Sequence, residues 1–207
     1  MKQVLLALAV ITIAASPLSA APTARSGQYD TLTLAVVDGV VTGTFFEQRG
    51  EAGPGGAPQF SCTFLLRGKL EGDHAKIDTW TPGDKEHIAG ELVFKGDEVM
   101  LKLADNQPGC GMTSGDMVHE SYHASRSGEG EGWIGVGMVS AKRAAFRPAP
   151  KARAPRRPYI VAFDPVVILE CKGDWLRASY LGGDRPITGW LRRDELAAYG
   201  LPTGCGR

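Results

Sequence analysis

Absent from the 207 residues are a Cys-x-x-Cys pair, a Gly-x-Ser-x-Gly elbow and a Walker-type phosphate loop. The first absence excludes a dithiol redox centre or a compact zinc site, the second an α/β-hydrolase serine, and the third a P-loop nucleotide site. Beyond residue 20, no apolar run reaches the ~20 residues that a bilayer-crossing helix requires. No segment repeats. Net charge is missing too, since 23 Lys and Arg balance 23 Asp and Glu. The balance hides a split: residues 21–130 hold 9 basic and 16 acidic side chains, residues 131–207 hold 13 and 7. Opposite charge in two halves of a chain favours attraction between them, or an anionic partner for the basic half.

The amino-terminal residues have the pattern of a secretory signal. Lys2 supplies a positive start, Val4–Ala15 is an apolar run too short to span a bilayer, and Leu18-Ser19-Ala20 precedes Ala21 as a small-residue cleavage site. Residues 1–20 are therefore expected to be removed on export. No cysteine follows the cleavage point directly, which argues against a lipid anchor. Export means an oxidising compartment, periplasmic or extracellular, where the four cysteines Cys62, Cys110, Cys171 and Cys205 are expected to pair. Four cysteines allow three pairings. Cys62–Cys110 with Cys171–Cys205 is favoured, because each bridge then closes a loop within one half of the chain.

Alternation dominates the next hundred residues. Leu32, Leu34 and Val36 share one face of a strand over Tyr29–Val37. Asp38-Gly39, flanked by strand formers, predicts a two-residue hairpin returning as Val40–Phe46. Gly50–Pro58 is a loop by composition. Strands are predicted over Gln59–Leu66, with Phe60, Cys62 and Phe64 on one face, then over His74–Trp80, Glu91–Phe94 and Val99–Leu103, the last two joined at Lys95-Gly96-Asp97. Pro108–Gly111 is expected to be a loop carrying Cys110. Short strands at regular intervals argue a barrel or sandwich. Ser125–Gly132, rich in Gly and Ser and without an apolar residue, is the expected boundary between a first domain, 21–128, and a second, 133–207. In the second domain Ile134, Val136 and Met138 are expected to point into its core. Arg147–Pro158 holds four prolines and five basic residues and is expected to be a long loop. Arg193–Gly200 hints at a short helix.

The ordered set Phe146, Val166–Leu169, Gly173-Asp174-Trp175-Leu176, Tyr180 and Gly189-Trp190-Leu191 resembles the bacterial Src-homology-3-like domain over about a third of the chain. The resemblance implies a barrel of five to six strands with a binding role, often towards peptidoglycan or proteins near it. The basic Arg147–Pro158 loop and the Cys171/Cys205 pair depart from that pattern.

Three constellations bear on chemistry. His119-Glu120-Ser121-Tyr122-His123 spells a zinc-protease string, but only on a helix do residues four apart meet on one face. On a strand they stand ~13 Å apart, and Tyr122 and Ala124 alternate as in a strand. Glu47 and Glu51 flank the Gly-rich loop as a formal acid/base pair, a placement also expected of solvated hairpin charges. The aromatic set Phe146, Tyr159, Trp175 and Tyr180, with Arg156 and Arg157 beside it, is the candidate ligand surface. The alternative is an aromatic core with a solvated basic loop.

The sequence therefore predicts an all-β exported protein, with an N-terminal antiparallel barrel or sandwich followed by a small Src-homology-3-like barrel. It is expected to bind peptidoglycan or an envelope protein without catalysis, metal or cofactor. Neither a nucleic-acid partner nor a membrane span is expected. The rival role is a periplasmic inhibitor or immunity protein that blocks a wall-degrading enzyme, with a zinc hydrolase as a remote third.

Overall fold

A computed structural model describes residues 24–50, 58–156, 158–202 and 205. The expected signal peptide, Glu51 and Arg157 lie outside them. The chain is all-β. Its first part is a closed antiparallel barrel of eight strands, each hydrogen-bonded to the next and the last to the first. These are β1 Gly27–Tyr29, β2 Leu32–Val37, β3 Val40–Arg49, β4 Phe60–Glu71, β5 His74–Trp80, β6 Ile88–Lys95, β7 Glu98–Leu103 and β8 Tyr122–Glu129.

The alternation read from the sequence fills this barrel. Leu32, Leu34, Val41, Phe45, Phe64, Leu66, Leu92, Phe94 and Leu101 form one buried interior, with Phe45 stacked on Phe64 at 5.0 Å. Asp38 and Gly39 make the predicted hairpin, both at positive φ (50° and 73°), as the turn that matches strand twist requires. Cys62 lies in that interior, bonded to Cys110. Cys110 is not in a plain loop. It opens a single helical turn, α1 Cys110–Thr113, and together with Met117 it plugs one end of the barrel. Gly109 enters this turn at φ 81°, where a Cβ would collide with the Ser61 carbonyl.

Within the expected boundary Ser125–Gly132, residues Ser125–Glu129 are strand. They belong to β8, which pairs with β7 through Ser125 and with β1 through Arg126, Gly128 and Glu129. The physical reason is closure: without these polar residues β1 and β7 would both be open edges. A strand that contributes ladder bonds at the barrel mouth needs few apolar side chains.

After the barrel come β9 Gly135–Val139, β10 Arg143–Ala145, β11 Tyr159–Val161, β12 Pro165–Lys172, β13 Trp175–Tyr180, β14 Ile187–Arg192 and β15 Leu196–Ala197. Five of them make one sheet in the order β14-β13-β12-β9-β15, and β10 pairs with β11. The expected helix after Arg193 is one 3₁₀ turn, Arg193–Glu195, followed by β15. Cys171 is bonded to Cys205, tying the carboxy-terminal segment to β12. Both favoured cysteine pairings are therefore present.

Strand β9 is buried along its whole length. Its Val139 joins the core of the second sheet, with Phe146, Ile168, Leu176 and Leu191. Val136 and Met138 do not point into that core as expected. They face the outer wall of the barrel, Val136 with Ala35 and Val167, and Met138 with Leu65, Trp80 and Ala197. Period-two alternation separates two faces of a strand but does not say which core each face meets. The Val136 backbone N–H donates to the Oγ1 of Thr42 on β3, 3.1 Å away and buried. Gly137 has no room for a side chain, because a Cβ would stand 2.9 Å from that of Ala198. The seam is thus apolar. Among the described residues no salt bridge joins the barrel to the second sheet.

Within the second sheet, Arg147 is clamped. Its guanidinium makes two hydrogen bonds to Glu195, at 3.0 and 3.1 Å, and lies over the Trp175 ring at 5.2 Å. Its backbone exchanges hydrogen bonds with Trp190. The first of the five basic residues in the proline-rich loop is therefore a structural fastener.

Two consequences are measurable by urea unfolding. Met138→Ala leaves a cavity on the barrel wall and should cost about 2–5 kcal/mol; an unchanged midpoint would mean that the seam contributes nothing to stability. Arg147→Ala should cost about 1.5–3 kcal/mol, the range for hydrogen bonds to a charged group, and a double-mutant cycle with Glu195→Ala should show strong coupling. Arg156→Ala, which removes an exposed charge, should stay within about 0.5 kcal/mol of wild type. Equal losses at positions 147 and 156 would contradict the clamp.

Candidate functional site

The residues singled out in the sequence are dispersed. Phe146 is buried in the core of the second sheet and lines no surface. Trp175 is partly buried beneath Arg147. Tyr180 packs at the edge of the same core. Burial, and then the nearby Asp164 carboxylate, push its hydroxyl above the usual tyrosine range. Tyr159 is exposed, with the Arg143 guanidinium 3.7 Å from its ring centroid. Arg143 also donates to the Arg156 carbonyl, which fastens the loop and leaves the Arg156 side chain in solvent. Tyr159 and Arg156 thus share one exposed basic face of the loop, while Phe146 and Trp175 belong to the packing beneath.

The histidine string is split between two elements. His119 sits in a turn where its ring bonds to Asp116 at 2.6 Å, and His123 is an exposed residue of β8. Hydrogen bonds from that ring and from the backbone N–H groups of His119 and Val118 hold the Asp116 carboxyl below the usual range. Glu47 accepts from the Ser114 hydroxyl at 2.5 Å and from Arg49 at 2.8 Å, so it is engaged in anchoring α1 and its own strand.

A better-formed site lies elsewhere. Where the barrel wall meets β15, a cleft of about 530 Å³ opens along the seam. Its volume falls within the ~300–1,000 Å³ of small-molecule sites. The floor is Trp80, which is only 7% exposed because Leu65, Met138 and Ala197 pack against it. His87 stacks on the Trp80 ring at 5.1 Å, nearly parallel, and Tyr199 meets it edge-on at 5.3 Å. Tyr199 itself is 51% exposed. Arg67 and Lys69 on β4 and Asp78 on β5 form one wall, and Asp84 lies in the turn after Trp80.

The wall has an unusual pairing. Arg67 and Asp78 stand directly opposite in the β4–β5 register, where opposite charges normally pair. Asp78 instead bonds to His87 Nδ1 at 2.5 Å. Among the described residues the other ring nitrogen, Nε2, makes no hydrogen bond. Neither Arg67 nor Lys69 forms a salt bridge among the described residues. The cleft therefore offers two uncommitted cations, two carboxylates, an imidazole and an exposed phenol ring on a rigid apolar floor.

Sequence reasoning missed this site because its parts come from Val40, residues 67–87, Ser140 and residues 196–199, which no local pattern links. The one available signal was Trp80, an aromatic at a strand end before Thr-Pro-Gly-Asp, where loops gather function on a rigid scaffold.

On the opposite side of the Asp84 turn a second cleft, of about 460 Å³, lies between the barrel residues Phe46 and Thr63 and the loop Val161–Asp164. Phe163 in this loop is 43% exposed and has φ 72°, a left-handed conformation that a bulky residue seldom adopts. Burial raises the Asp164 carboxyl from its usual range, against the stabilising hydrogen bond it accepts from the Val161 N–H at 2.8 Å.

No family model matches the chain, and neither a curated protein nor a solved structure matches it.

Proposed function

We propose that the chain is an exported, non-catalytic binding protein of the bacterial cell envelope that recognises peptidoglycan or an envelope protein. The observation that carries this role is the seam cleft, a preformed hollow walled by both parts of the chain and furnished with uncommitted polar groups. The signal-like residues 1–20 and the two disulfides support an oxidising compartment. Among the described residues no helix is long and apolar enough to cross a membrane. The second sheet is read as the Src-homology-3-like barrel that its Gly173–Leu176 and Gly189–Leu191 segments resemble. Five antiparallel strands, with the β10–β11 pair folded against β14 through Arg147 and Trp190, support that reading. The exposed Arg156, with Arg157 beside it in sequence, adds a basic approach surface that draws anionic wall polymer towards the protein.

A second role, inhibition of a wall-degrading enzyme, is favoured by one observation. Val161 and Phe163 present exposed apolar side chains on a conformationally constrained loop, a form suited to docking on a protein.

Retention from envelope extract on the immobilised full chain separates the two. Wall polymer should be retained, and Arg156→Glu with Arg157→Glu should reduce the amount held at low salt and flatten its salt dependence with little change in melting temperature. Capture of one discrete enzyme, lost in Phe163→Ala, would establish the inhibitor role instead. Retention of neither would overturn both.

A further inference from the structure

We propose that the seam cleft selects a sugar that carries a free carboxylate. This specificity presupposes the envelope-binding role above and adds the chemistry of the ligand. Arg67 and Lys69 are two residues apart on β4 and so project from the same face of the sheet. Asp78, the natural cross-strand partner of Arg67, is taken by His87. The guanidinium thus lies beside Gly200 with its planar donor fork uncommitted, in the geometry that matches a carboxylate in two hydrogen bonds. Tyr199 supplies a half-exposed ring held edge-on by Trp80, and the C–H face of a pyranose stacks on such a ring. Asp78, Asp84 and His87 line the same hollow and serve as partners for hydroxyl groups.

Each competing class leaves part of this set unanswered. A nucleotide or polyphosphate would bring several negative charges against Asp78 and Asp84. A neutral glycan would cover Arg67 and Lys69 without replacing their water, which costs free energy for any charged group. A carboxylate-bearing sugar uses the cations, the ring and the acceptors together. Two sources share this chemistry. In intact peptidoglycan the muramic acid carboxylate is tied up in an amide to the stem peptide, so it is free only on glycan from which the peptide has been removed. Uronic acid polymers carry theirs free throughout.

The full chain, labelled with ¹⁵N, is titrated in separate arms with N-acetylmuramic acid, trigalacturonate and N-acetylglucosamine, following the Trp80 indole and the Tyr199 and His87 signals. At least one acidic sugar should shift all three signals, and N-acetylglucosamine should bind more weakly by tenfold or more, roughly the value of one charge-assisted hydrogen bond. Arg67→Ala with Lys69→Ala should abolish the preference, and Tyr199→Ala should weaken acidic and neutral sugars alike. All three side chains are solvent-accessible, and unchanged melting curves would confirm that the variants fold. Response to N-acetylmuramic acid alone would identify peptide-stripped wall glycan as the source, and response to trigalacturonate alone a uronate polymer. Equal binding of N-acetylglucosamine, untouched by the double variant, would overturn acid selection while leaving a sugar-binding cleft. No shift at these residues with any of the three would overturn the inference altogether. In that case, wall polymer still held by the Arg67→Ala, Lys69→Ala and Tyr199→Ala variant would keep the envelope role apart from this cleft.

Discussion

One strand buried on both faces determines how the rest of this molecule is arranged. β9 gives Val139 to the core of the second sheet and Val136 and Met138 to the outer wall of the barrel. Such a strand cannot leave either neighbour without exposing apolar surface, at about 25 cal/mol for each Å² uncovered. Directional bonding reinforces the burial. The Val136 N–H finds its acceptor in a barrel side chain, Thr42, and a buried N–H without a partner would cost about 1–3 kcal/mol. The glycine at 137 in β9 has the same origin, since the carboxy-terminal segment crosses so closely that a Cβ there would meet the Ala198 Cβ and the Ala197 carbonyl.

The cleft follows from this seam. A curled sheet laid on a curved barrel wall touches it along a seam and diverges beyond it, and Trp80 sits where the surfaces part. Its ring is fixed from below by Met138 and Ala197 and carries His87 and Tyr199 above. A hollow floored by a packed core is preorganised, so a ligand entering such a hollow would lose little conformational entropy.

Much of the architecture was legible in the sequence, for reasons that can be named. Alternation located β2 to β7 because one face of each is wet and the other dry, but it ran Tyr29 into β2, where a turn at Asp30-Thr31, with Asp30 at φ 48°, instead ends β1 and starts the antiparallel β2. Asp38-Gly39 located a hairpin because few residue pairs accept two positive φ values. The cysteine pairing followed from keeping each bridge local. What escaped was whatever depends on tertiary context. Ser125–Glu129 is strand because closure demands one, not because its residues favour it. Val136 and Met138 face the barrel because a second dry surface was present, which no pattern within β9 reveals. Arg147 looked like one charge among five, yet Glu195, 48 residues away in sequence, makes it a fastener. Phe146 and Trp175 belong to the aromatic set of the resemblance, for which sequence leaves groove and core both open, and packing puts one in the core and the other under a guanidinium. The residues of the seam cleft are individually unremarkable in sequence and meet only through the fold.

The claim on which the rest depends is that barrel and second sheet share β9 as a common buried element. Hydrogen exchange at the Val136 amide tests it most directly. Protection comparable to that of barrel amides such as Leu66 and Leu101 is expected, with a selective loss of protection at Val136 in Thr42→Val, which keeps the shape but removes the acceptor. If Val136 exchanges orders of magnitude faster than the barrel core in the unaltered protein, the second sheet opens independently, and the seam with its cleft is not a fixed feature of the molecule.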